Sequence, residues 1–249
     1  MQVKEIAPGL WRWTVPHPSW TPEKDKPGGW GKMVGCHSYQ PPPDAERSFV
    51  LFDPQAPPRL TPESERFWTS LDNDVDRIGT KVAVLLGNYY HQRSAKEIVD
   101  RYYKRTCSIW AHESAASHLE IPLTFFKADT PLPGGVKVYL IEGLDDAEVA
   151  YYITPHRALV FADAVLGKGA GTRVESEAAS GAPALQVAPL SWARDTEAGK
   201  EAYRTRFRPS LRRLLDLKVD MLLTAHGEPV LKGGREALAE ALEAPAWGE

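Results

Sequence analysis

The sequence predicts an α/β protein built as a four-layer αββα sandwich, in which two sheets pack face to face and helices cover both outer surfaces. Strand patterns followed by helix patterns occur in each half of the chain. Residues 81–86 (KVAVLL) form a continuous apolar run, which is typical of a strand covered on both faces. The 249 residues are 43% hydrophobic, enough to bury a substantial core. We therefore expect a single domain over residues 1–249.

In the first half of the chain, Trp11 and Trp13 alternate with polar residues near the turn Pro8-Gly9 and indicate half-buried strand structure. A helix is predicted from Thr61, because Thr is a good N-cap residue and the proline that follows suits the first helical position. Two of the strands, 33–39 and 48–53, are expected to form a hairpin. The predicted strands cover residues 3–15, 33–39, 48–53, 81–86 and 108–111, and the predicted helices cover about 61–73, 94–104 and 113–119.

The second half repeats this order. A hairpin is expected to turn at residues 155–157, and apolar residues at helical spacing between 197 and 217 predict a helix that breaks at Pro209. Long loops are predicted at 16–32 and at 167–183, the second being rich in Gly, Ala and Ser. The predicted strands cover residues 123–128, 136–141, 149–154, 158–162 and 219–224, and a final helix covers 233–242.

Charge and composition argue against several classes of protein. The net charge of −3 lacks the basic balance of a nucleic-acid-binding protein, so no nucleic-acid partner is expected. No apolar run approaches the roughly 18 residues that span a bilayer, and the N-terminus has no secretory pattern, so we expect no membrane partner and a cytoplasmic location. Cys36 and Cys107 form no CxxC pair, which predicts neither a disulfide framework nor a thiolate zinc site.

Three short segments carry the functional signal. A buried strand runs into NYYHQRS at residues 88–94 and then a helix, FADAV follows a hairpin at 161–165, and LLTAHGE follows a strand at 222–228. In this order they resemble the metallo-β-lactamase superfamily, whose motifs are Thr-His-x-His-x-Asp-His, Gly-Asp-Ala-Leu and Gly-His-Gly. The strand ending in LFDP at 51–54 also resembles that family's strand before an Asp-Thr-Gly turn. The resemblance implies an αββα sandwich of metallo-β-lactamase type.

The resemblance also implies a metal site with most of its ligands replaced. The family holds two zinc ions, which activate a water for hydrolysis. The first ion's three ligand positions correspond to Tyr89, His91 and Leu144, the second ion's own three to Arg93, Ser94 and His226, and Asp163 would bridge both ions. Of these seven positions, three can still bind a metal: His91, Asp163 and His226.

Arg93 cannot replace the family's aspartate as a metal ligand, because a guanidinium stays protonated and cannot bind a cation. Three other roles are open to it. It could supply part of the missing metal charge by pairing with Asp163 or Asp53. It could also bind the substrate, since Arg recognises carboxylate and phosphate groups. A third reading is that it points to solvent.

Our leading hypothesis is a metallo-β-lactamase-fold protein with a degraded metal site, non-catalytic or weakly active and without a cofactor. It keeps the pocket to bind a small anionic molecule or for a structural role. The alternative is a mononuclear hydrolase with one zinc, iron or manganese ion on His91, Asp163 and His226. In that enzyme Asp163 would be catalytic, with Tyr89 or Tyr90 donating a hydrogen bond to the substrate carbonyl or oxyanion. A third hypothesis is an interaction protein without a pocket ligand. The identity of the ligand and the oligomeric state stay open.

Overall fold

The computed structural model describes residues 1–24, 31–42, 48–78, 81–144, 148–170 and 183–246. In these residues the first half forms a seven-stranded sheet whose strands are neighbours in chain order. The first four strands pair antiparallel and the later ones parallel. The strands are β1 (Gln2–Ala7), β2 (Leu10–Pro16), β3 (Met33–Tyr39), β4 (Ser48–Phe52), β5 (Lys81–Leu85), β6 (Thr106–His112) and β7 (Thr124–Phe126), and the helices are α1 (Pro62–Ile78) and α2 (Ala95–Arg101).

The second half forms a four-stranded sheet and a small two-stranded one. The four strands β8 (Lys137–Ile141), β9 (Glu148–Ile153), β10 (Ala158–Phe161) and β13 (Met221–Thr224) lie in the order β13-β10-β9-β8, with β10 and β13 parallel. The other elements are β11 (Val165–Gly167), β12 (Leu185–Val187), α3 (Glu197–Ala202), α4 (Arg208–Arg212) and α5 (Gly234–Glu243).

Three buried apolar clusters define the layers. The inner cluster joins the two sheets and includes Phe52 and Leu85 from one and Tyr151 from the other. A second cluster packs α1 and α2 on the outer face of the first sheet, and a third packs the later helices on the outer face of the second sheet. The predicted four-layer αββα sandwich is therefore confirmed.

Several element boundaries differ from the sequence predictions. The predicted helix at 197–217 is interrupted by a π-helical turn at Tyr203–Phe207, before Pro209 rather than at it. Proline has no N–H to donate to the preceding turn, and a π turn absorbs that missing hydrogen bond. The predicted helix at 113–119 is only a 3-10 turn at Glu113–Ala115. Most of the predicted loop at 167–183 lies outside the described residues, although β11 extends into its start.

No helix in the described part of the chain combines the length and apolar character that crossing a bilayer requires.

Candidate functional site

The ends of four strands create the site. Asp53 follows β4, His91 follows β5, Asp163 follows β10 and His226 follows β13. Because β4 and β5 are parallel, and β10 and β13 are parallel, the carboxyl ends within each pair lie side by side. His91, Asp163 and His226 present ligand atoms that all lie within 4.8 Å of one another. The structure thus brings together the three residues that the sequence predicted as metal ligands.

Asp163 is the centre of this cluster. Its Oδ1 lies 3.3 Å from Nε2 of His91 and 3.1 Å from Nε2 of His226. Its Oδ2 accepts a 2.7 Å hydrogen bond from the amide of Asn88. Burial acts to raise the pKa of Asp163, but the charge of His91 and the contacts with both histidines outweigh it and hold the pKa well below its usual range. Asp163 is therefore an anion with three polar partners.

His91 lies between two carboxylates. Its Nδ1 is 3.1 Å from Oδ2 of Asp53, although this approach lacks hydrogen-bond geometry. The amide oxygen of Asn88 accepts the His91 backbone N–H at 3.1 Å and fixes the turn. Burial and the charge of Arg93 act to lower the pKa of His91, but the charges of Asp163 and Asp53 prevail and raise it to about 9. At neutral pH the imidazole is therefore a cation held by Asp53 and Asp163.

Arg93 lies beside His91 rather than pointing to solvent. One guanidinium nitrogen donates to the backbone carbonyl of Asp53 at 2.9 Å and lies 3.9 Å from the sulfur of Cys36. The other, Nη2, lies 3.1 Å from Nε2 of His91. With His91 protonated, this last contact joins two cations and is not a hydrogen bond. Among the described residues the predicted pairing with the Asp163 or Asp53 carboxylate is wrong, since Arg93 contacts a carbonyl, a thiol and an imidazole instead.

The backbone of Arg93 is strained, with φ 40° and ψ −120°. Asp53, whose carbonyl receives the guanidinium, also has a positive φ of 46°. Residues other than glycine adopt such angles at a penalty of order 1–3 kcal/mol, and only when their surroundings hold them there. The position of the guanidinium therefore follows from the surrounding packing.

Glu148 is a site residue that the sequence reasoning missed. It is buried at the start of β9, and its two carboxyl oxygens accept the backbone N–H groups of Asp163 and Ala164 at 2.7–3.0 Å. Burial, followed by the charge of Asp163, raises the pKa of Glu148 to about 8. A lone acid at the head of the wholly buried strand EVAYYI was the available signal. Glu148 fixes the turn that carries Asp163.

An open cavity of about 610 Å³ lies over the cluster. Tyr89 and Tyr90 line it, as do the three clustered residues, so all of these predicted residues face one space. The rings of Tyr89 and Tyr90 are 4.0 Å apart, and Tyr90 is 62% exposed. Arg93, predicted to bind substrate, is not among the lining residues. Leu144, which occupies a ligand position in the resemblance, also lines it. Further lining residues that no sequence motif indicated include His17, Glu148, Trp192 and Arg194.

Solved structures share this architecture at low sequence identity. A β-lactamase domain protein from Burkholderia ambifaria has a TM-score of 0.63 and 16% identity over 96% of this chain and 71% of its own. A metallo-β-lactamase from Pontibacter korlensis has a TM-score of 0.59 and 15% identity, and the match covers 98% of this chain and 99% of that protein. A flavodiiron protein from Giardia intestinalis has a TM-score of 0.58 and 15% identity, and the match covers 97% of this chain and 58% of that protein. Neither a protein-family model nor a curated protein matches the sequence.

The chain therefore has the metallo-β-lactamase fold, as its three motifs predicted.

The donor atoms by themselves suit a metal ion. Two ligands at 2.0–2.1 Å from one tetrahedral ion are roughly 3.3 Å apart. The contacts of Asp163 Oδ1 with His91 and His226, at 3.3 and 3.1 Å, are close to this separation. The charge around the donors does not suit an ion, because the Arg93 guanidinium lies 3.1 Å from the nitrogen of His91 that would bind it. The site as a whole fits a resident metal ion poorly.

Proposed function

We propose that this protein is a metallo-β-lactamase-fold protein with a degraded metal site, which binds a small anionic molecule in its cavity and has little or no hydrolytic activity. The observation that carries this proposal is the 3.1 Å separation between Arg93 Nη2 and His91 Nε2. Where the family motif has an aspartate that attracts cations, this chain has a fixed positive charge.

Repulsion by the Arg93 guanidinium opposes the binding of a metal ion at this site. A divalent ion and a guanidinium about 4 Å apart repel by roughly 8 kcal/mol at an effective dielectric constant of 20. Asp163 and Asp53 would attract the ion, but both already contact His91. Binding would also require His91 to lose the proton that these two carboxylates stabilise. The repulsion favours a cluster whose charges balance without a metal.

The cavity supports binding of an anion with an apolar part. Trp192 and the rings of Tyr89 and Tyr90, which contact each other at a tilt, supply apolar and aromatic surface. Arg194 lines the cavity, and Arg is the residue best suited to bidentate binding of a carboxylate or phosphate. Arg93 contributes only its field from behind His91, so Arg194 takes the role of direct contact that the sequence suggested for Arg93.

The competing function is a mononuclear metal-dependent hydrolase. It is favoured by one observation, the ligand-like separation of His91, Asp163 and His226. In that enzyme the three residues would hold one zinc, iron or manganese ion, which would activate a water. The phenol of Tyr89 or Tyr90 would then hydrogen-bond to the substrate from the cavity wall.

Metal analysis separates the two functions. The protein is purified without a His-tag, incubated with zinc, dialysed and measured for zinc, iron and manganese, together with His226→Ala and Asp163→Ala. We expect far less than one ion per chain in all three proteins. Near-stoichiometric metal in the parent that both substitutions remove would overturn the degraded-site proposal in favour of the hydrolase.

Anion binding is tested with defined probes. Tryptophan fluorescence is titrated with benzoate, phenyl phosphate and neutral benzyl alcohol, in the parent and in Arg194→Met. We expect saturable changes with one or both anions, no saturation with the alcohol, and affinity weakened at least tenfold by Arg194→Met. Arg204→Met, an exposed residue outside the cavity lining, is the matched control. Equal responses to anions and alcohol, or no effect of Arg194→Met, would contradict the proposal.

A cytoplasmic location and the absence of nucleic-acid and membrane partners stay predictions from charge and composition.

A further inference from the structure

A second cavity lies on the outer face of the first sheet, beside α1. Its volume is about 320 Å³, which is at the lower end of the roughly 300–1,000 Å³ typical of small-molecule pockets. Residues of β1, β2, β3 and β4 line it from the sheet, and residues of α1 line it from the helix. Among the described residues, none lines both this cavity and the one over Asp163. The second cavity is therefore a separate place where a ligand could bind.

Aromatic side chains make up much of the lining of this second cavity. Trp11 and Trp13 lie on the sheet side, and Phe67 lies on the helix side with its ring centroid 5.7 Å from that of Trp13. Val3, on the edge strand β1, also lines the cavity and is 53% exposed, so apolar surface is left uncovered there. An apolar cavity of roughly 150 Å³ holds one benzene molecule. The second cavity therefore has room for a molecule of one or two aromatic rings.

The hydroxyl of Ser38 is a buried polar group in this apolar lining. Ser38 pairs with Trp11 on one side and Leu51 on the other, and directly paired residues of antiparallel strands share a face. Leu51 belongs to the outer cluster under α1, so the Ser38 side chain points to the same side, where the cavity lies. Ser38 is 5% exposed, and its hydroxyl hydrogen-bonds to no group in the part of the chain that the structure describes. Because buried hydroxyls almost always have a partner, this one indicates a ligand that supplies it.

The charges around the second cavity favour an uncharged ligand. Among the described lining residues, Asp74 is the only one with a charged side chain. One of its carboxylate oxygens already accepts a hydrogen bond from Arg77 at 2.9 Å. An ionic ligand would therefore bring a charge without a counter-ion into a mainly apolar site, which is unfavourable. In this respect the second cavity differs from the one over Asp163, which Arg194 lines.

We propose that the second cavity binds a small uncharged aromatic molecule whose single N–H or O–H group donates a hydrogen bond to the hydroxyl of Ser38. A serine hydroxyl can accept such a bond. Trp11, Trp13 and Phe67 pack against the rings of the ligand in offset or edge-to-face contacts. The proposal depends on neither the metal site nor the binding of an anion over Asp163.

Two probes of the same shape test the hydrogen bond to Ser38. Indole has an N–H donor, and benzofuran has an oxygen in its place. Binding of each to the parent and to Ser38→Ala is measured by isothermal titration calorimetry. We expect one indole per chain, bound more tightly than benzofuran. Ser38→Ala should weaken indole about fivefold, as for the loss of one hydrogen bond, and change benzofuran by less than about twofold. No saturable binding of indole, or an equal effect of Ser38→Ala on both probes, would overturn the proposal.

Two neighbouring residues of α1 test where indole binds. Ser70 and Thr69 are both exposed, but only Ser70 lines the second cavity. Ser70→Phe should therefore fill the cavity and abolish indole binding, whereas Thr69→Phe and Arg194→Met should keep it. Loss of binding in Arg194→Met but not in Ser70→Phe would place indole over Asp163 and overturn the proposal. Self-association of the parent that Ser70→Phe abolishes would assign this face to a second copy of the chain and would also overturn it.

Discussion

The Nη2 atom of Arg93 lies 3.1 Å from Nε2 of His91, on the histidine nitrogen that also faces Asp163. This contact places a permanent cation beside the atom through which His91 would bind a metal. Since the donors are otherwise suitably separated, we expect the charge on this one side chain to decide between a metal centre and a metal-free cluster.

Replacing Arg93 with aspartate should therefore increase metal binding. We expect Arg93→Asp to take up close to one zinc per chain after incubation and dialysis, while the parent takes up far less. The substitution removes the repulsive charge and adds a carboxylate ligand. Bound zinc is measured by elemental analysis, and circular dichroism checks the fold. Arg66→Asp, at an exposed position of α1, is the control, and equal zinc in Arg93→Asp and the parent would count against the role of Arg93.

The Asn88–Asp163 hydrogen bond should contribute to stability. Asn88→Asp replaces an amide donor 2.7 Å from the Asp163 carboxylate with a second negative charge. We expect the free energy of unfolding to fall by roughly 1.5–3 kcal/mol, because a hydrogen bond to a charged group is lost and repulsion is added. Urea unfolding at pH 7 measures this fall. Asn73→Asp, at an exposed position of α1, is the control and should change the free energy of unfolding by less than about 0.5 kcal/mol. An equal fall in both variants would contradict a specific contribution of the Asn88–Asp163 hydrogen bond.

Gly227, next to His226, should tolerate no side chain. Its φ is 80°, and a side-chain carbon would lie 2.1 Å from the carbonyl oxygen of Gly167. We expect Gly227→Ala to lower the free energy of unfolding by about 3 kcal/mol or more, from left-handed strain plus displacement of backbone. Gly135→Ala is a matched control, since φ is 66° but no atom lies within 4 Å, so only about 1–2 kcal/mol should be lost. Equal losses would show that the backbone contact with Gly167 is unimportant.

Protonation of His91 should make stability depend on pH. The pKa of His91 rises from 6.5 to about 9 on folding, so the folded state binds the extra proton between these values. The resulting stabilisation is fully present below pH 6.5 and is lost as the pH rises through about 9. His91→Gln should make this decline in urea-unfolding free energy shallower between pH 6.5 and 9, whereas His118→Gln, on the exposed surface, should not. Glu148, whose pKa is about 8, should account for the decline that remains below that pH. A decline of the same slope in His91→Gln would contradict the charged state of His91.

Much of the fold could be predicted from sequence because its signals are local. The apolar run at Lys81–Leu85 and the cap Thr61-Pro62 specify a buried strand and a helix start regardless of distant contacts. The prediction failed where neighbouring structure overrides a local pattern, as in the π turn before Pro209.

The site residues that the sequence could indicate are those that lie in local motifs. His91, Asp163 and His226 each follow a strand in a recognisable motif, and the parallel ends of those strands bring them together. Three cavity residues belong to no sequence motif: Glu148, Trp192 and Arg194. They reach the cavity only because segments that are distant in the sequence fold together, which no local pattern reports.

The order of the motifs in the sequence predicted the sandwich and its three potential metal ligands. Only the tertiary structure decided where the Arg93 side chain goes, because a strained backbone and the carbonyl of Asp53 direct it against His91. Sequence patterns show the type of each residue and the spacing of apolar residues along the chain. The charge balance of a buried site depends instead on distances of about 3–4 Å between charged groups, and only the packing of the folded chain determines these distances.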